Sequence, residues 1–163
     1  QRAIAGDLAD RVPPHQAVPW VMAVLRASDA PDAQTWLARQ AQENVRPAQA
    51  ALGEWMLTQE GRSAEAIALL ESAAIAGHVP SQFRLGEAYT TGAGAALDYV
   101  QAHAWLNIAA ASGHLKAGEM RGLLNDLMTP EQVAEAQTIT RSFFANAASQ
   151  VPQTQQSVTS EAD

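Results

Sequence analysis

The sequence predicts an all-α chain: a short solenoid of about three helical hairpins, with one helix before them and a capping helix after. Three observations carry this. Leu70, Ala73, Ala74, Gly77 and His78 recur as Leu106, Ala109, Ala110, Gly113 and His114, each 36 residues later. A period of that size marks stacked helical hairpins. A worn copy lies upstream, because Leu37 and Pro47 precede Leu70 and Pro80 by 33 residues. Alanine supplies 35 of the 163 residues, and aromatic residues only 6%. That composition suits helices packed at close range, since alanine lets two axes approach and loses no side-chain entropy.

Taken in order, residues 1–15 read as an irregular lead-in, because Gly6, Pro13 and Pro14 interrupt any early helix. The repeat solenoid then spans 16–145. Val18, Trp20, Val21, Val24 and Leu25 follow helical spacing between Gln16 and Ala27, with Pro19 in the first turn and a break at Ser28 and Asp29. The first hairpin covers about 32–61. Asp32 caps a helix carrying Trp36, Leu37 and Ala41, and Pro47 opens its partner. The second covers 63–94, with Ser63 as cap and Ala66, Leu69, Leu70, Ala73 and Ala74 as the apolar stripe. The third covers 98–127 and starts at Asp98, with Gln101 in capping-box position. Thr129, Pro130 and Gln132 supply N-cap, N1 and N3 of a capping helix over about 130–145. Such a cap covers the apolar flank of a last repeat. Residues 146–163 are Gln, Ser, Thr and Ala with few large apolar side chains, the composition of a disordered tail.

Charge and composition exclude several function classes. The net charge is −7 and nine of the ten basic residues are scattered arginines, which is unfavourable for a nucleic-acid partner. With no cysteine there is neither a disulfide nor a thiolate metal site. The longest strongly apolar run, Val21–Leu25, is far short of the ~20 residues of a membrane-spanning helix. The start at Gln1 without methionine predicts an exported, periplasmic protein whose leader has been removed, with a cytoplasmic setting left open.

The repeated residues also carry a resemblance. Ala73-Ala74-x-x-Gly77-His78, Leu85-Gly86-x-x-Tyr89, Gly92-x-Gly94, Asp98, Ala102, Trp105 and Ala109-Ala110-x-x-Gly113 resemble the Sel-one-like repeat family, relatives of the tetratricopeptide repeats. Met128 to Gln132, with Ala134 to Gln137, is similar to the closing helix of bacterial members. The first copy departs most, with Asn44 for the glycine, Met56 for the tyrosine and Gln59 opposite Gly92. The resemblance implies a right-handed α/α superhelix whose concave face, lined by the first helix of each pair, binds other proteins. It implies an adaptor or regulator of envelope assemblies, with protein partners that include a membrane-bound complex. It implies no catalysis and no cofactor.

On that frame the groove candidates are polar or half-polar residues of the first helices that leave the apolar stripe: Gln34, Glu71, Tyr99, His103 and Asn107. Trp20 and Trp55 lack repeat equivalents and are the candidate partner anchors, a role tryptophan often fills. Trp36 and Trp105 are equivalent and read as core. His78 and His114 sit one repeat apart, about 10 Å by helix-packing distances, too far to share a zinc ion held within about 2.1 Å. They read as polar residues of a helix turn, so no metal site is expected. Gly92 and Gly94 lack the rest of a phosphate-loop motif and read as hairpin ends. Glu65 and Glu71 lie on different sides of one helix and form no acid/base pair. The expected function is a non-catalytic protein-interaction module. The alternative is a permanent accessory subunit of a large membrane-associated complex.

Overall fold

The computed structural model describes residues 9–27, 30–59 and 61–149. The first part of the lead-in, the Ser28–Asp29 break, Glu60 and the tail from residue 150 lie outside the described residues. Among the described residues there are eight helices and no strand: α1 (Pro14–Ala27), α2 (Pro31–Gln42), α3 (Arg46–Met56), α4 (Ser63–Ile75), α5 (Val79–Thr91), α6 (Tyr99–Ala111), α7 (Leu115–Asn125) and α8 (Pro130–Ser149). They pair as hairpins α2/α3, α4/α5 and α6/α7. Each second helix packs onto the first helix of the next pair, α3 onto α4 and α5 onto α6, while α8 lies against α6.

The repeated Ala-Ala-x-x-Gly-His stretch is the hairpin turn, and each residue in it has a backbone task. In the second repeat the His78 N–H donates to the Ala73 carbonyl at 2.9 Å and the Gly77 N–H to Ala74 at 3.0 Å. The same pair recurs at His114 to Ala109 and Gly113 to Ala110, both 3.0 Å. This nested pair closes a helix only if the residue just past the C-cap is left-handed, and φ is +90° at Gly77 and +92° at Gly113. Asn44 supplies the same turn in the worn copy at φ +60°, which asparagine tolerates better than other side chains. The histidine then caps the next helix. His78 Nδ1 accepts from the Ser81 N–H and His114 Nδ1 from the Ala117 N–H, each at 3.3 Å.

Other ends follow their chemistry too, with four departures from the sequence reading. Asp98 accepts the Gln101 N–H at 3.0 Å, and Thr129 and Gln132 exchange a reciprocal pair at 3.3 and 2.9 Å. Asp32 and Ser63 are not the caps. Proline fixes the start of α2 at Pro31, so Ala30 holds the N-cap and Asp32 falls in the first turn, beside the positive end of the helix. Ser63 is the first residue of α4, with Arg62 before it. Helix α1 begins at Pro14 rather than Gln16, which places Pro19 inside it. The missing N–H there leaves the carbonyl of His15 to water, and His15 is exposed. Finally, α8 continues past 145 to Ser149, carried by the strong helix formers Ala145, Ala147 and Ala148.

The core is one run of three touching clusters. Val21, Leu25, Trp36, Leu37 and Leu52 join α1 to the first hairpin, and Leu70, Ala74 and Leu85 fill the second. Phe83, Leu106, Ala109, Leu124 and Ala136 join the second hairpin to the third and to α8. Trp36 is buried as expected, and its indole N–H donates to Asp10 at 2.9 Å. Trp105 is half-buried and meets Phe143 of α8 edge-on at 5.8 Å.

Candidate interaction surfaces

The larger depression is a groove of about 640 Å³ where α1, the end of α3 and α5 converge. Its apolar wall is Met22 and Leu25 of α1, Trp55 and Leu57 of the first hairpin, and Ala88 of α5. Its polar wall carries Glu54, Arg84 and Glu87. Arg84 stands between the two carboxylates, 2.8 Å from Glu87 and 3.7 Å from Glu54. The bond to Glu87 raises the Arg84 pKa further, so this group is a fixed cation. Both carboxylates are engaged by it. Trp55 is half-buried, and Arg62 lies over its ring at 5.8 Å from the centroid. The arrangement offers an aromatic wall, an apolar floor and directional polar groups, which is equipment for holding a side chain.

A second cleft of about 310 Å³ lies among α6, α7 and α8, and it holds two of the sequence-predicted residues, His103 and Asn107. Most of their polar atoms are committed to the fold, the exception being the buried Nδ1 of His103, which has no hydrogen-bond partner among the described residues. His103 is 3% exposed, with Nε2 2.9 Å from Asn125 Oδ1 of α7. Burial holds its pKa below the ordinary value, opposed by the Asn125 bond and assisted by the Arg121 charge. Asn107 accepts from Arg121 at 2.6 Å and donates to Thr140 of α8 at 3.4 Å. His103 is thus held against α7, and Asn107 links α6 to both α7 and α8.

No family model matches this chain, and no curated protein matches it. Among solved structures it aligns, with a TM-score of 0.66 and 26% identity, to a protective antigen present in uropathogenic Escherichia coli strains and described as displaying an SLR fold. The chain has the Sel-one-like repeat (SLR) fold. The match covers 81% of this chain and 30% of that one, so the chain spans about a third of the length of the protein it resembles.

Within the SLR hairpins the other sequence-predicted residues are dispersed. Gln34 is half-buried on α2. Glu71 of α4 accepts the hydroxyl of Tyr89 at 2.9 Å. Burial first, then the Glu71 bond and charge and the charge of Asp98, push the Tyr89 pKa up to about 12. Tyr99 packs against the cluster of the third hairpin, and Trp20 against that of the first. Of the seven candidates, Trp55 alone lines the larger groove. Sequence reasoning missed Met22, Leu25, Arg84 and Ala88, because the groove is built from α1 and from second helices and no single periodicity links them. Among the described residues no group of three His, Asp or Glu side chains could hold a metal ion, and no helix is long and apolar enough to cross a membrane.

Proposed function

We propose that this SLR chain is a non-catalytic protein-interaction module, an adaptor or regulator of an envelope assembly, holding a segment of its partner in the Trp55 groove. The observation that carries this reading is the half-buried indole of Trp55 set beside an apolar floor and the Glu54–Arg84–Glu87 triad. Interface energy concentrates where a tryptophan or arginine lies in a partly dry pocket ringed by polar groups. Fold-level likeness to an SLR protein supports a binding role, and an exported, periplasmic setting beside a membrane-bound complex completes the proposal. The test is recovery of a partner from an envelope extract by the chain and by Trp55→Ala. Truncating an anchor of this kind lowers affinity by about tenfold or more. Full recovery by a folded Trp55→Ala protein would remove the groove from the account.

A second reading, the permanent accessory subunit, is favoured by the exposed leucines of α7 described next. The size of the native particle separates the two: a free monomer fits the adaptor, and constant co-migration with one assembly fits the subunit.

A further inference from the structure

The second helices of the three SLR hairpins carry glycine at one equivalent place: Gly53, Gly86 and Gly122, separated by the same 33- and 36-residue steps as the rest of the repeat. At the first two, the glycine is a seat for a leucine of the next hairpin. A β-carbon on Gly53 would lie 3.0 Å from Leu70 Cγ, and one on Gly86 would lie 2.5 Å from Leu106 Cγ. At Gly122 it would meet nothing within 4 Å. Gly53 and Gly86 are buried, while Gly122 is exposed.

The helix that follows does not fill this third seat. Where α4 packs on α3 and α6 on α5, α8 instead lies along α6, with Thr140 Oγ1 3.4 Å from the Ala104 carbonyl. The outward face of α7 therefore stays open. Leu115, Glu119, Gly122 and Leu123 share that face at i, i+4, i+7 and i+8, with Leu115 87% and Leu123 68% exposed. Two strongly exposed leucines two turns apart on one open helix face form an apolar surface of the kind that takes a partner.

The filled seats specify what fits the empty one. Helices α4 and α6 present Ala66, Leu70 and Ala73, and Ala102, Leu106 and Ala109, all fully buried, in the pattern Ala-x-x-x-Leu-x-x-Ala. Small residues around one leucine bring the two axes close enough for the leucine to rest on glycine. The charges beside the empty seat are Glu119 and Asp126, neither with an ion-pair partner among the described residues, and the single cation Lys116, so the acidic excess favours a helix with basic flanks. A second copy is a poor fit. Its own Leu70 and Leu106 are already fully buried, and its α7 would bring like charges to Glu119.

We infer that the outward face of α7 docks an amphipathic helix of another protein, whose leucine, flanked by alanines at Ala-x-x-x-Leu-x-x-Ala spacing, seats over Gly122. This site is separate from the Trp55 groove, and either can fail without the other. The test uses the full chain and a fluorescent peptide copying residues 98–113, with Ala111→Lys and Ser112→Lys as the basic flank. The expected result is saturable binding in the micromolar range. Binding falls at least tenfold for the Gly122→Leu protein and for the peptide with Leu106→Asp, and is unchanged by Trp55→Ala. Because nothing lies near the Gly122 β-carbon position, Gly122→Leu keeps the fold, which circular dichroism and thermal melting verify. Absence of binding overturns the proposal, as does equal binding to Gly122→Leu. A concentration-dependent dimer abolished by Gly122→Leu would also overturn it, by assigning the face to a second copy.

Discussion

Gly86 is pressed against Leu106 so closely that a β-carbon on the glycine would stand 2.5 Å from the leucine Cγ and 2.6 Å from its Cδ2. Leu106 is fully buried and has nowhere to retreat. Gly86→Ala gains helix propensity of about 1 kcal/mol, but overpacking a tight core costs about 1–3 kcal/mol and more where atoms overlap. The expected net effect is destabilisation by about 1–2 kcal/mol, read by urea denaturation. Gly122→Ala, with open space at the same repeat position, should stabilise instead.

The contrast shows what the sequence could and could not reveal. The Ala-Ala-x-x-Gly-His turn was legible because its left-handed residue favours glycine and its histidine ring caps the next helix, tasks that most other residue types perform poorly, so it survives as a repeated string. The glycine seat has the same periodicity, yet its purpose depends on which neighbouring helix arrives there. A buried rung was also missed. Gln49 Nε2 donates to the Ala41 carbonyl at 3.3 Å and Gln82 Nε2 to Ala74 at 3.1 Å, a bond the third repeat lacks because Gly118 stands at that place. The Trp55 groove was least legible. The repeat equivalents of Trp55 are Ala88 and Leu124, so pattern alone singles it out without saying what lies opposite.

Acid should weaken the fold through its histidines. Burial holds His78 and His103 below their ordinary pKa of 6.5, with the charge of Glu54 opposing the shift at His78. The unfolded chain therefore binds protons first as pH falls. The stability from these groups is complete above 6.5 and is lost as pH drops from there through the lower folded values. Protonation also removes the Nδ1 acceptor that caps α5. Melting temperature should fall between about pH 7 and pH 5, and the fall should shrink in His78→Asn, which keeps a capping acceptor. A flat profile over that range would contradict the burial of both rings.

Asn107 ties α6 to both of its neighbours through Arg121 and Thr140. Asn107→Ala should cost about 1–3 kcal/mol, since one of the lost bonds is to a charged group. The loss should concentrate in α8, so hydrogen exchange should accelerate over Val133 to Phe144 before it does in α4 or α5. Uniform acceleration along the whole chain would show that α8 is not held by this link.

The central claim is that the Trp55 groove holds a segment of a partner protein, and photo-cross-linking in the native cell tests it most directly. A photoreactive residue at Thr58, which lines the groove, is compared with one at Ser142, exposed on α8 outside it. The account predicts one discrete protein adduct from position 58, lost on adding Trp55→Ala, and none of that mass from position 142. The same adducts from both positions, or none from position 58, would contradict it.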